Sequence, residues 1–274
     1  MNAIDSLFQR LRSHGQKAFM PFLTAGDPDL ETTALLLHEL AGRGASLIEV
    51  GFPYSDPIAD GPVIQASYTR ALANGLRIDD IFRIISRCAG SKPFAGGQVP
   101  LVAMVSYALV QRRGGEAFVT QAQAADLSGA IVPDLPVEEA SELAALAAAR
   151  DFKLIQLITP TTPRERAVRI AKATTGFLYY VSVAGITGER DQLPPALVEQ
   201  VRWLRGQTDL PICVGFGISK PEQVRLLRDV ADGIIVGSAL VRHLEQAGVR
   251  PREQIVRDIG AHAALLTEAL ASEK

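Results

Sequence analysis

Along the chain, short apolar runs rich in β-branched residues alternate with longer stretches whose apolar positions recur every three to four residues. The runs cover residues 18–24, 46–51, 100–106, 130–133, 153–159, 176–182, 211–215 and 233–236, eight in all. Helical periodicity covers 31–41, 78–88, 116–125, 137–149, 163–173, 196–205, 221–228 and 252–270. Alternation of this kind predicts a parallel sheet, because each strand must be carried back by a crossover helix. Eight evenly spaced units predict a closed (β/α)8 TIM barrel rather than its rival, an open doubly wound sheet. Ile4, Leu7, Phe8 and Leu11 add an amphipathic helix before the first strand. No boundary or second core interrupts the pattern, so residues 1–274 read as one barrel domain.

Composition narrows the function. The 274 residues are 47% hydrophobic, enough for a large core, with 28 basic against 30 acidic residues. No basic stripe or aromatic-plus-Arg groove suits a nucleic acid. Two cysteines, Cys88 and Cys213, make no disulfide framework and fit a reducing cytoplasm. No apolar run reaches the length of a membrane span, and the N-terminus does not read as a secretory signal. The expected localisation is cytoplasmic, with no membrane partner.

A barrel builds its site at the C-terminal ends of its strands, so the chemistry is sought there. Three glycine-bearing turns follow strands six, seven and eight, at Gly188, at Gly217 and at Gly237-Ser238. Ser219-Lys220-Pro221-Glu222 reads as a capping box behind the second, and a short helical stretch at 239–244 follows the third. Each glycine alone is an ordinary turn residue. Together at one end of consecutive strands, they predict backbone N–H groups gathered around a phosphate. Lys220 stands where a dinucleotide fingerprint needs its third glycine, and no Walker-type loop is present. The phosphate is therefore assigned to a small substrate.

The four histidines, His14, His38, His243 and His262, fall in or beside helices, away from the strand ends. No His/Cys cluster has metal-ligand spacing. Lys153 begins a strand at the wrong end of the barrel, and Lys220 begins a helix, so no lysine is placed for a Schiff base. Cys213 reads as core. Carboxylates remain. Glu49 lies near the end of the second strand, on one face with Leu47 and Gly51. Facing inward it would be desolvated and exchange protons near neutral pH; facing outward it would pair with a helix cation. Asp56 and Asp60 follow on a loop stiffened by prolines, and one of them suffices for catalysis. Asp27 and Asp134 read as residues that hold loops.

The stretch Glu49…Gly51…Pro53…Ser55-Asp56-Pro57…Ala59-Asp60-Gly61-Pro62…Ile64-Gln65 resembles the signature of the tryptophan synthase α subunit family. The segments 22–28, 134–136, 185–188, 215–218 and 237–238 match in order, so the resemblance spans essentially the whole chain. It implies cleavage of indole-3-glycerol phosphate to indole and glyceraldehyde 3-phosphate, a retro-aldol reaction without metal or Schiff base. Glu49 matches the family's general acid/base, and Asp60 matches the acid that stabilises charge at the indole N–H. Gly188, Gly217, Gly237 and Ser238 match phosphate binders. Phe22, Leu157, Tyr179 and Phe216 match positions lining the substrate pocket, and Thr187 matches the loop residue that closes near Asp60. The implied partner is a β subunit carrying pyridoxal phosphate, in an α2β2 assembly that receives indole through a tunnel; this chain itself needs no cofactor and is weakly active alone. Phe52, Pro53, Tyr54, Pro57 and Ile58 offer an apolar loop surface for that partner, unless they fold back on the barrel. After the third strand the family shows an aromatic residue and then an Asn, where this chain has Ser106 and Ala108.

Overall fold

The structure is a computed structural model that describes residues 1–57, 60–182, 195–215 and 217–271. Its strand segments are β1 (Ala18–Thr24), β2 (Ile48–Gly51), β3 (Leu101–Met104), β4 (Leu127–Ile131), β5 (Lys153–Ile155), β6 (Leu157–Ile158), β7 (Leu178–Val181), β8 (Ile212–Gly215) and β9 (Gly233–Val236). All pairings among them are parallel, in the order β5-β4-β3-β2-β1-β9-β8-β7-β6. The two ends of that order, β5 and β6, are consecutive in the chain and separated only by Gln156. They are the two halves of the fifth predicted strand. The first half pairs with β4 and the second with β7, which closes the sheet into a barrel.

The helices are α1 (Ala3–Ser13), α2 (Leu30–Gly42), α3 (Pro62–Ala73), α4 (Ile78–Ala89), α5 (Tyr107–Arg113), α6 (Gly115–Ala124), α7 (Ser141–Ala149), α8 (Arg164–Ala173), α9 (Pro195–Arg205), α10 (Pro221–Arg228), α11 (Ser238–Val241) and α12 (Arg252–Leu270). Two of them, α3 and α5, are not predicted by the apolar periodicity. Helix α7 begins at Ser141, four residues after the predicted start. The capping of α10 also shifts by one residue. Its N-cap is Lys220, and the Gln223 side chain, not Glu222, accepts from the N–H groups of Ser219 (2.9 Å) and Lys220 (3.1 Å).

Strand alternation sorts the side chains into two layers. Ile48, Val50, Ala103, Val214 and Ile234 point outward and pack under the helices. Ala18, Met20, Leu47, Val102, Ile131, Ile155, Phe177, Tyr179, Cys213 and Ile235 fill the interior. Ile4, Leu7, Phe8 and Leu11 of α1 belong to the same interior cluster and seal the N-terminal end. Burying these four side chains stabilises by roughly 1.5–3 kcal/mol each before entropy is counted. Asn2 fixes the helix there. Its side chain accepts from Ile4 N–H and donates to the carbonyls of Ser128 (2.9 Å) and Asp151 (2.6 Å). Lys153 belongs to this sealed end, paired with Asp5 (2.6 Å) and Asp151 (3.1 Å).

Candidate active site

Opposite the sealed end, β1 and β2 place Phe22 and Glu49 side by side in register, with Val102 on the other flank of Glu49. The inward orientation is thereby settled. Leu47 lies on the same face in the interior, while Ile48 and Val50 are in the outer layer. Glu49 is fully buried, and among the described residues neither carboxyl oxygen has a hydrogen-bond partner. Desolvation lifts its pKa from 4.5 to about 8. A charge isolated in this way would be costly, so the group is held neutral at pH 7.

The room above Glu49 at Gly51 is taken by aromatic side chains. A Cβ at Gly51 would lie 2.5 Å from Phe22 Cζ and 3.0 Å from the Tyr68 hydroxyl. Tyr68 comes from α3, which two contacts clamp onto the barrel. Ser67 Oγ and Thr24 Oγ1 are 2.7 Å apart, and Arg70 makes a two-pronged ion pair with buried Asp27 (2.9 and 2.7 Å). Asp27 thus holds the first loop, as expected. The sequence pattern alone does not single out Tyr68. Pro62 at the first helical position and the buried spacing Ile64, Tyr68, Ala71 are the signals that could have found its helix.

Asp60 lies just before α3, half-buried. Its N–H donates to Pro57 O (3.0 Å), and its carbonyl accepts from Gln65 Nε2 (2.8 Å). The Tyr54 hydroxyl donates to Asp60 Oδ2 across 3.5 Å, and the Tyr54 ring packs 5.5 Å from that of Tyr68. Burial raises the Asp60 pKa from 3.8 to about 6; the Tyr54 hydrogen bond opposes the rise, and the nearby Asp134 charge adds to it. Asp134 also accepts from Tyr107 N–H (2.7 Å), so it does hold a loop. The neighbouring Ser106 starts α5, its hydroxyl accepting from Leu109 N–H (3.4 Å), and Ala108 is exposed. Asp56 is exposed and bonded to Ser55.

Tyr68 and Tyr179 are both buried, and both phenols titrate well above their usual range. Burial is the main cause, and the fields of Glu49 and Asp60 reach both rings. Two protonated phenols and two carboxyls therefore share one mouth. Leu157 stands beside Tyr179 in register and is partly buried. A Cβ at Gly215 would fall 2.6 Å from the Tyr179 hydroxyl, so the glycine admits that ring.

On the far side of Phe22 lies Gly237. A Cβ there would be 3.6 Å from Phe22, an ordinary contact, so nothing crowds this glycine. Ser238 opens α11, whose Leu240 and Val241 N–H groups close on Gly237 O. The first N–H groups of such a turn have no partner within it. Gly217, in the turn after β8, has φ +75°, a conformation that favours glycine. The phosphate-binding candidates Gly217, Gly237 and Ser238 thus follow the C-terminal ends of the neighbouring strands β8 and β9. Gly188, Thr187 and Phe216 lie outside the described residues, as does Ile58.

The loop surface offered to a partner needs correction. Phe52 is fully buried, packed edge-on against Phe82 and Phe118, and Pro53 is buried with it. Tyr54 turns to Asp60. Of the described members, Tyr54 and Pro57 are left partly open. Among the described residues, no three His, Cys, Asp or Glu side chains converge as a metal site.

A family model described as "Tryptophan synthase alpha chain" matches residues 8–270. The chain belongs to the tryptophan synthase α chain family. It is 53% identical over 247 residues to the tryptophan synthase α chain of Rhodopirellula baltica, covering 90% of this chain and 88% of that one. It is 46% identical over 260 residues to that of Synechococcus elongatus, covering 94% and 96%. The tryptophan synthase α subunit structure from Legionella pneumophila superposes with a TM-score of 0.88 at 33% identity, over 98% of each chain. As a member of the tryptophan synthase α family, the chain is a lyase of tryptophan biosynthesis that cleaves indole-3-glycerol phosphate.

Proposed function

We propose that Glu49 and Asp60 divide the proton chemistry of indole-3-glycerol phosphate cleavage between them. Breaking the bond between indole C3 and the glycerol side chain requires a proton on C3 and the loss of one from the adjacent hydroxyl. Glu49, neutral at pH 7, gives its proton to C3. The resulting carboxylate takes the hydroxyl proton as the carbon–carbon bond breaks and the aldehyde forms, so Glu49 ends as it began. Protonation at C3 puts positive charge on the indole nitrogen. Asp60, ionised at pH 7, accepts from that N–H and stabilises the charge where it develops. The observation that carries the assignment is the placement of the two carboxyls, Glu49 buried on the inward face of β2 and Asp60 half-buried against Tyr54, where burial pushes their pKa values up to about 8 and about 6. Between them lies a pH range in which one carboxyl is an acid and the other an anion.

The substrate-pocket residues of this reading are Phe22, Leu157, Tyr179, Thr187 and Phe216. Gly188, Gly217, Gly237 and Ser238 hold the phosphate. Residues 1–274 act as one barrel domain, in the cytoplasm, without a cofactor of their own. The partner is a tryptophan synthase β subunit carrying pyridoxal phosphate, in an α2β2 assembly. A solved structure from Pyrococcus furiosus described as a tryptophan synthase complex, with a chain 36% identical over 92% of this one and a TM-score of 0.81, supports that reading. Among the described residues, no helix is long and apolar enough to cross a membrane.

The test is Glu49→Gln, assayed with a β subunit present. Indole release is expected to vanish while glycerol 3-phosphate still binds; undiminished turnover would overturn the assignment.

A further inference from the structure

Two histidines outside the mouth connect the turns that the proposed phosphate site uses. His243 lies in the 3-10 turn Arg242–Gln246 that continues α11, six residues after Gly237. His262 lies on α12. Their ring nitrogens, His243 Nε2 and His262 Nδ1, are 3.2 Å apart, with the rings edge to face at 5.5 Å. The other nitrogen of His262, Nε2, is 3.0 Å from the carbonyl oxygen of Ser219, two residues after Gly217.

The direction of this chain of bonds follows from its last acceptor. A carbonyl oxygen can only accept, so His262 Nε2 carries the hydrogen. In a neutral ring His262 Nδ1 is then the bare acceptor, and His243 Nε2 must donate to it. Burial and Arg250 favour the neutral form of His243, against the pull of Asp258, whose carboxylate is itself engaged by Arg250 at 2.6 Å. The preceding peptide is held as well, the Ser219 N–H donating to Gln223 Oε1 of α10. Exposed Ser219 is thereby fixed from α10 and from α12 at once.

We propose that His262, oriented by His243, is a positioning residue for phosphate binding, setting the turn after β8 relative to the turn after β9. The two turns come from different βα units. The His243–His262–Ser219 relay crosses between them, and a shared anion needs their N–H groups at a fixed separation. This inference rests on the phosphate site assigned above.

The full-length chain with its β subunit gives the test. In His262→Ala, the dissociation constant for glycerol 3-phosphate and the KM for indole-3-glycerol phosphate are expected to rise roughly five- to tenfold, the effect of one lost hydrogen bond. The kcat should stay within twofold, because the carboxyls are untouched. His262→Gln, which keeps a donor toward Ser219, should restore binding to within twofold. Nitrogen-15 NMR of the native protein should show His262 protonated at Nε2 and bare at Nδ1. Unchanged affinity in His262→Ala, or a hydrogen on His262 Nδ1, would overturn the proposal; the NMR result decides even if His262→Ala does not fold. Gly237→Asp, which puts a like charge in the cradle, separates the two failures. If it binds glycerol 3-phosphate normally, the phosphate site is wrong. If it loses binding while His262→Ala does not, only the relay is wrong.

Discussion

The Phe22 ring lies so close over Gly51 that a methyl group on that glycine would fall 2.5 Å from Phe22 Cζ. The contact joins neighbouring strands at the level where the site begins. A Cβ on Gly237, on the other flank of Phe22, would lie 3.6 Å from that side chain, so Phe22 sits between Gly51 and Gly237.

Gly51→Ala should therefore be destabilising, since both Phe22 and Tyr68 must move in a filled mouth. A loss of about 1–3 kcal/mol is expected in chemical denaturation. Gly237→Ala, whose Cβ meets only ordinary contacts, should lose less than about 1 kcal/mol by the same measurement, a cost within the usual range for uncrowded substitutions. Equal losses for the two would contradict the packing described.

The Asp27–Arg70 pair anchors α3, and with it Tyr68 and the end of the Asp60 loop. Asp27 is wholly buried, and its pKa is raised because desolvation outweighs the attraction of Arg70. Arg70→Met leaves that carboxyl without its cation. A destabilisation of about 3 kcal/mol is expected, the low end for a broken buried pair because Arg70 itself is partly open to water. Adding Asp27→Asn should recover part of the loss in a double-mutant cycle.

The two displaced carboxyls predict a bell-shaped pH dependence of kcat/KM. The acid limb should fall near 6, where Asp60 gains its proton, and the basic limb near 8, where Glu49 loses its own. Tyr54→Phe removes the hydrogen bond that lowers the Asp60 pKa, so the acid limb should move to higher pH while the basic limb stays. Movement of the basic limb instead would exchange the two roles.

Stability should carry the same signature. The folded pKa of Glu49 lies above its unfolded value, so the folded state binds the extra proton between 4.5 and about 8. Stability is then greatest below 4.5 and declines as pH rises through about 8. Glu49→Gln abolishes that decline. At pH 9 it should exceed the parent by an amount on the order of 5 kcal/mol, and by far less at pH 5, because each pH unit separating the folded and unfolded pKa contributes about 1.4 kcal/mol. A constant difference across pH in urea titrations would contradict a buried neutral Glu49.

The strands are legible because their apolar runs are short and regularly spaced, and alternation narrows Glu49 to one of two faces. It does not choose between them: the choice depends on Ile48 and Val50 being claimed by the helical layer. Helix α3 is hidden because its buried residues Val63, Ile64, Ser67, Tyr68 and Ala71 include a serine and a tyrosine, which do not read as an apolar stripe. Phe52 reads as open loop surface because sequence does not show that Phe82 and Phe118 come to meet it. The His243–His262 contact joins residues 19 apart, one in the 3-10 turn after α11 and one on α12, a pairing only tertiary structure creates.

Ile4, Leu7, Phe8 and Leu11 make the barrel a cul-de-sac. Among the described residues, that leaves the C-terminal ends of the strands as the open end of the barrel. A protein that collects indole directly from this chain has to stand at that open end, against the loops that carry Asp60, Gly217 and Gly237. One docked against α1 would meet its polar outer face, with Gln9, Arg10 and Arg12 exposed and the packed layer of Ile4, Leu7, Phe8 and Leu11 between it and the interior.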